Sequence, residues 1–120
     1  MDALGLVNRL VDSWQRLDAD AVAACFAEGG VWHNMPYPAI RGRAAIRESV
    51  ARFLASVESG EFRIRRSALL DPLTVVNERT DVFRLKSGQT LSIPVMGVFE
   101  VGPDGIVEWR DYFDSKVMGA

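Results

Sequence analysis

The sequence predicts an α+β fold in which three helices come first and a curved, mostly antiparallel sheet follows. Two observations lead to this prediction. Apolar residues recur every three or four positions in the first half of the chain, whereas in the second half they form strand-like segments separated by turn residues. No internal repeat, low-complexity tract or linker interrupts the 120 residues. We therefore expect residues 1–120 to form a single domain whose sheet wraps a helix-lined pocket.

The periodic pattern predicts the first helix over residues 2–17. Its apolar face carries Leu6, Val7, Leu10, Val11, Trp14 and Leu17. A shorter second helix follows, capped by Asp18 or Asp20 and ended by Gly29-Gly30. Its apolar face consists of Val22, Cys25 and Phe26. Gly42 opens a third helix, with an apolar stripe of Ile46, Val50, Phe53, Leu54 and Val57.

The strands are predicted from turn signals between apolar segments. A short strand covers residues 31–34, and four longer ones cover 62–70, 73–85, 90–101 and 105–113. The last four read as a meander of hairpins. Pro94 and Gly97 lie inside one strand and predict a bend or bulge that curves the sheet into a cone, with the alternative that Gly97 admits a ligand.

Composition excludes several classes of function. The chain is 48% hydrophobic and 25% charged with a net charge of -2, so no basic surplus is present to bind nucleic acid. No apolar run reaches the roughly 20 residues of a membrane span, and no signal-like segment begins the chain, so we expect a cytoplasmic protein without membrane contact. With one His and one Cys, a metal site is not expected, and Cys25 is interpreted as a buried structural thiol. We expect chemistry without a cofactor.

Three charged residues stand in segments that otherwise predict buried strands. Arg79 and Asp81 share one face of their strand, and Asp111 shares a face with Val107, Trp109 and Phe113. Isolated charges there would cost several kcal/mol each, so they should be paired or neutralised. This arrangement is either a candidate active site or a buried ion-pair network that fixes strand register.

Four segments carry a resemblance to a known family. They are Asn34-Met35-Pro36, residues 77–82 (NERTDV), Gly97-Val98-Phe99 and residues 109–114 (WRDYFD). In order and spacing they resemble the limonene-1,2-epoxide hydrolases, within the NTF2-like or SnoaL-like superfamily of cone-shaped α+β folds. The resemblance implies a homodimer that adds water to a small apolar epoxide without a cofactor.

The resemblance also implies a role for each matching residue. Asp81 would be the general acid, Arg79 the bridge, Asp111 the general base and Asn34 a water ligand. Trp32 stands where the family has a water-holding tyrosine, and an indole N–H donates a hydrogen bond but accepts none. With Asp81 protonated and Asp111 ionised, the trio with Arg79 sums to zero charge, the state that a buried site tolerates best.

The apolar wall of the pocket is expected to come from core residues on the same faces as the trio. These are Trp32, Phe53, Val57, Phe83, Ile93, Val95 and Phe113. Two other functions remain open on the same fold. One is an isomerase or cyclase of the ketosteroid isomerase or SnoaL type, in which Asp81 or Asp111 moves a proton at carbon. The other is a non-catalytic module that binds a small molecule.

Overall fold

The computed structural model describes residues 1–118 and has two layers, a helical layer and a curved six-stranded sheet. The helices are α1 (Ala3–Gln15), α2 (Ala19–Ala24) and α3 (Arg43–Leu54), followed at the end by a short 3-10 helix (Ser115–Met118). The strands are β1 (Phe26–Asn34), β2 (Ile40–Arg41), β3 (Val57–Asp71), β4 (Thr74–Leu85), β5 (Thr90–Gly102) and β6 (Gly105–Tyr112). The predicted α+β class, with helices first and the sheet second, is confirmed.

The sheet has the order β2-β1-β6-β5-β4-β3. Strands β3 to β6 form the predicted antiparallel meander, and β1 returns to pair with β6 in parallel. That parallel ladder aligns Trp32 with Trp109 and Asn34 with Asp111. Two segments about 80 residues apart in sequence are thereby brought side by side, which no local pattern indicates.

The predicted end of the second helix at Gly29-Gly30 is wrong. Helix α2 ends at Ala24, and Phe26 already belongs to β1, where it is fully buried. The β1–β6 register shifts between Phe26 and Val31, and a Cβ atom at Gly30 would lie 2.8 Å from the carbonyl oxygen of Ile106. The glycine pair therefore marks a bulge with close backbone approach instead of a helix stop.

Val57 does not extend the stripe of the third helix, as predicted, because α3 ends at Leu54 and Val57 begins β3 by pairing with Leu85. The bulge expected at Pro94 or Gly97 is also absent from the described ladders. The β4–β5 register runs unbroken from Thr74 to Arg84. Pro94 is tolerated because the pairing of β5 with β6 extends only to Met96.

Val107 does not share the face of Asp111. The β5–β6 register shifts between Glu100 and Val101, and this irregularity turns Val107 outward, where it is 48% exposed. Ile106 is buried in its place. A single shift in register reverses the alternation of side chains on one side of it. The face predicted for Val107, which lies before the shift, was therefore wrong, whereas the faces predicted for Trp109 and Asp111 were right.

The core lies between the helices and the concave face of the sheet and is rich in aromatic rings. Trp14 on α1 contacts Phe62 and Phe83 from the meander and Trp32 and Trp109 from the parallel pair, with ring centroids 5.6–6.1 Å apart. Helix α1 thus closes one side of the cone. Among residues 1–118, no helix has the length and apolar character needed to cross a membrane.

Candidate active site

The three charged residues of the sequence prediction meet in the concave face of the sheet. Arg79 and Asp81 come from β4 and Asp111 from β6, and all three are at most 5% exposed. Arg79 Nε donates to Asp81 Oδ1 (2.8 Å), and Nη2 donates both to Asp81 Oδ2 (3.2 Å) and to Asp111 Oδ2 (2.5 Å). One guanidinium therefore bridges two carboxyl groups from different strands.

Two further side chains complete this network. Arg79 Nη1 donates to Asn77 Oδ1 (2.8 Å), and Trp109 Nε1 donates to Asp111 Oδ1 (2.6 Å). Both residues share a strand face with the group they contact, so alternation places them correctly, but the sequence does not reveal the hydrogen bonds. Every oxygen of Asp111 thus accepts one protein donor and keeps a lone pair for another partner.

The guanidinium is also surrounded by aromatic faces. The Cζ atom of Arg79 lies 4.9 Å from the ring centroid of Phe62, 5.9 Å from that of Phe99 and 5.8 Å from that of Trp109. These distances permit cation–π attraction. Burial opposes the charged form of Arg79, but Asp111 and Asp81 outweigh it and raise its pKa above the ordinary value. The bridge therefore stays cationic.

Burial has the opposite effect on the pKa of a carboxyl group, because the neutral form of a carboxyl group is the protonated one. Burial raises the pKa of Asp81 to about 6, although Arg79 pulls it down. Burial raises the pKa of Asp111 as well, against the opposing effects of Arg79 and Trp109. Because the two groups share one cation, their titrations are coupled, and burial favours a proton on one of them. One acid and one base can then coexist in the same site.

A cavity of about 240 Å³ opens onto both carboxyl groups. Its lining includes nine residues named from the sequence: Trp32, Asn34, Phe53, Asp81, Phe83, Ile93, Val95, Asp111 and Phe113, the last of which lies just beyond β6. Arg79 lies behind the carboxyl groups and does not line the cavity. Val57 was expected in the pocket wall, but it is buried in the core and does not line the cavity.

Sequence reasoning missed six lining residues. They are Trp14, Tyr37, Ser49, Phe62, Trp109 and Met118. The apolar pattern places Trp14 on the buried face of the first helix and Trp109 on the face of Asp111. It therefore predicts that both are buried in the core, but not that they line the cavity. Tyr37 follows β1, and its ring contacts Phe113 at a centroid distance of 6.2 Å. No periodic pattern predicts such a contact between a loop and a strand end.

Trp32 lines the cavity with its indole ring. It is 7% exposed and stacks on Trp109 with a centroid distance of 5.8 Å. Its Nε1 donor has no hydrogen-bond partner within residues 1–118, and the same holds for Nε1 of Trp14. The cavity is therefore bordered by two indole rings whose N–H groups are unpaired in the part of the chain that the structure describes.

Comparison with known proteins gives the family of the chain. The family model for the limonene-1,2-epoxide hydrolase catalytic domain matches residues 2–119. The chain is 32% identical to epoxide hydrolase EphG of Mycobacterium tuberculosis (strain ATCC 25618 / H37Rv) over 112 residues, which is 93% of this chain and 73% of that protein.

Two solved structures have a similar fold. A LEH-like epoxide hydrolase from M. tuberculosis superposes with a TM-score of 0.85 at 32% identity, covering 98% of this chain and 86% of that one. An NTF2-like protein of unknown function from Burkholderia pseudomallei K96243 superposes with a TM-score of 0.83 at 15% identity, covering 98% and 95%, and this likeness concerns the fold alone. The chain therefore belongs to the limonene-1,2-epoxide hydrolase family.

Proposed function

We propose that the protein is a cofactor-independent epoxide hydrolase, which adds water to a small, largely apolar epoxide and yields a vicinal diol in one step. The observation that carries this proposal is the pair of buried carboxyl groups, bridged by Arg79, at the wall of an otherwise apolar cavity. Membership of the epoxide hydrolase family supports it. The apolar lining fits a hydrocarbon substrate that carries one reactive oxygen.

In the proposed reaction, Asp111 is the general base and Asn34 helps to hold the water. The two residues are aligned across the parallel β1–β6 ladder, and both line the cavity. Ionised Asp111 takes a proton from the water as the water oxygen forms a bond to one epoxide carbon. The carbon–oxygen bond of the ring breaks, and its electron pair goes to the departing oxygen.

Asp81 is the proposed general acid. In its protonated form it gives the departing oxygen a proton, which leaves a neutral diol. A pKa of about 6 makes this form accessible near neutral pH. After the reaction Asp111 carries the proton and Asp81 is ionised, so a proton must return before the next turnover. Arg79 Nη2 donates to both carboxyl groups, so it stabilises whichever of them is ionised while the proton passes back.

A second candidate function is proton transfer at carbon, as in an isomerase or cyclase. The observation that favours it is Trp32, because an indole cannot accept a hydrogen bond from water as a phenol oxygen can. In this reaction one carboxylate would remove a proton from a carbon acid and return it elsewhere on the same molecule. Turnover of a ketosteroid, with no diol formed from epoxides, would identify this alternative.

We also propose that two copies of the chain associate through the outer face of the sheet. This face exposes Met96 and Tyr112, which are cross-strand neighbours on β5 and β6, at 46% and 45%. An apolar surface of this kind is commonly covered by a second copy. Sedimentation analysis of the purified protein measures the oligomeric state directly.

The hydrolase proposal is tested with limonene oxide and styrene oxide in water enriched in ¹⁸O, with enzyme in excess over substrate. Direct attack by water places the label in the diol in the first turnover, whereas an ester intermediate on a carboxylate would transfer unlabelled oxygen from the protein. We expect Asp81→Asn and Asp111→Asn each to lower kcat by about 10²- to 10⁴-fold.

Glu78→Gln is the matched control. Glu78 lies next to Arg79 on β4 but points to the opposite face, where its side chain is 42% exposed beside Arg66. Its loss should change kcat by no more than about twofold, because an exposed ion pair contributes little. If folded Asp81→Asn or Asp111→Asn protein kept most of its activity, the roles proposed for these residues would be wrong. Binding without turnover of any epoxide or ketosteroid would leave a binding module.

A further inference from the structure

Gly97 occupies the centre of the site without being part of its hydrogen-bond network. It lies on β5, where it pairs with Asn77 of β4 on one side and with Asp111 of β6 on the other. Directly paired residues of neighbouring strands point to the same face of a sheet. A side chain at position 97 would therefore project into the space between Asn77, Arg79 and Asp111.

That space is already filled by the guanidinium of Arg79. Neighbouring strands lie about 4.8 Å apart, so an arginine on β4 must reach across the whole of β5 to contact a residue of β6. Arg79 does so, because Nη1 contacts Asn77 Oδ1 at 2.8 Å and Nη2 contacts Asp111 Oδ2 at 2.5 Å. The side chain passes directly over Gly97.

A methyl group at position 97 would not fit under this bridge. Its carbon would lie 2.9 Å from Asn77 Oδ1, 2.9 Å from Asp111 Oδ1 and nearer still to Nη1 of Arg79. Contacts to carbon are most favourable near 3.5–4.0 Å, so at least one of the three groups would have to move.

Arg79 and Asp111 are both held in place by further contacts. Asp81 holds Arg79 through two hydrogen bonds, and the ring of Phe62 lies 4.9 Å from its Cζ. Trp109 holds Asp111 Oδ1 at 2.6 Å. Because these side chains are almost completely buried, a shift of one breaks hydrogen bonds that water cannot replace.

We propose that Gly97 is a positioning residue, whose missing side chain provides the passage through which Arg79 reaches Asp111 and couples the two carboxyl groups. The catalytic meaning of this role rests on the proposed hydrolase function. The steric role of Gly97 does not depend on that function. It also explains why glycine occurs inside an unbroken strand ladder, where it contributes no packing and no bulge requires it.

The first test compares Gly97→Ala with Gly29→Ala in the full chain. Gly29 is also in a strand, and a Cβ atom there would have no neighbour within 4 Å. We expect Gly97→Ala to lower kcat at least about 100-fold, the effect of a small misplacement of catalytic groups. We also expect it to move the acid limb of the pH profile upward, since Asp111 loses its cation. Gly29→Ala should change neither quantity.

The second test needs no substrate, so it is independent of the proposed function. The shift in melting temperature caused by Gly97→Ala is measured in the wild type and in the triple variant Arg79→Leu/Asp81→Asn/Asp111→Asn, which removes the three charges together. If Gly97 makes room for Arg79, the shift in the triple variant should be less than about half of that in the wild type. An equal shift in both backgrounds would overturn the proposal.

Unchanged activity and an unchanged pH profile in folded Gly97→Ala would overturn it equally. Should the triple variant fail to fold, the pH profile decides, because a purely structural defect reduces the amount of active protein without moving the profile of the remainder. Absence of any epoxide turnover in the wild type would count against the hydrolase function only, and the melting experiment would still decide the role of Gly97.

Discussion

At the scale of single residues, the site depends on hydrogen bonds that strand alternation does not specify. The alternation places Asn77 beside Arg79, and Trp109 beside Asp111, on the correct faces. It does not give the rotamers by which Asn77 accepts from Arg79 and Trp109 donates to Asp111. The sequence could therefore predict the strand faces on which these residues lie, but not which of them orients the others.

Trp109→Phe tests the role of the indole donor. The N–H stabilises the ionised form of Asp111, so its removal should raise the pKa of that carboxyl further. A base with a higher pKa becomes active only at higher pH. We expect the acid limb of kcat/KM to move up by about one pH unit, equivalent to about 1.4 kcal/mol for one lost hydrogen bond to a charged group.

Trp14→Phe is the matched control for this change. It removes an indole of equal size from the same cavity, but its Nε1 has no partner within residues 1–118. The KM of this variant can change because the ring lines the cavity, yet its acid limb should stay in place. An equal pH shift in both variants would assign the effect to cavity shape and exclude the hydrogen bond of Trp109 as its cause.

At the scale of secondary-structure elements, local periodicity predicts the existence of elements better than their ends. The meander and its turns follow directly from apolar segments and turn residues. By contrast, the glycine pair of β1, the start of β3 and the outward turn of Val107 each depend on register, which is set by a partner strand. Pairing partners and bulges are properties of tertiary structure, so a single strand's sequence does not contain them.

One residue, Asp18, stabilises the junction between α1 and α2. Leu17 has a left-handed backbone (φ 57°), and the amide of Asp18 donates to the carbonyl of Ser13, so α1 closes in a Schellman-type turn. The side chain of Asp18 then accepts from the amide of Ala21 at 3.0 Å and caps α2. One aspartate thus links the two helices.

Asp18→Ala should lower the free energy of unfolding by about 1 kcal/mol, because six-residue α2 depends on its cap. Urea denaturation followed by circular dichroism measures this change. Asp18→Asn keeps the acceptor oxygen and should cost only a few tenths of a kcal/mol. An equal loss in both variants would show that charge, including the 3.6 Å contact with Arg16, matters more than the cap.

At the scale of the whole molecule, the cone buries a small charged network in an apolar interior. The α+β class was predictable from the change in apolar periodicity along the chain, and the charged trio was predictable because it interrupts the apolar pattern of buried strands. The parallel return of β1 to β6 was not, since it joins distant parts of the chain. That pairing nevertheless builds the site, because it aligns Asn34 with Asp111.

The buried carboxyl groups make the stability of the whole fold depend on pH. The pKa of Asp81 rises from an ordinary 3.8 to about 6, and that of Asp111 rises also. A raised carboxyl pKa means that the folded protein binds the proton more tightly than the unfolded chain does. The free energy of unfolding contributed by Asp81 is therefore greatest at and below about pH 4 and falls as the pH rises through 6, and the contribution of Asp111 changes in the same direction.

Comparison of the wild type with Asp81→Asn removes the titration of Asp81, because asparagine carries no charge at any pH. The wild type should lose stability relative to Asp81→Asn by on the order of 2 kcal/mol between pH 4 and 7. Urea denaturation at half-unit intervals of pH measures the difference. A difference that stays constant across this interval would mean that Asp81 titrates normally in the fold. A difference that changes in the opposite direction would mean that Arg79 overcomes the effect of burial and keeps Asp81 ionised, which would remove it as the acid of the proposed reaction.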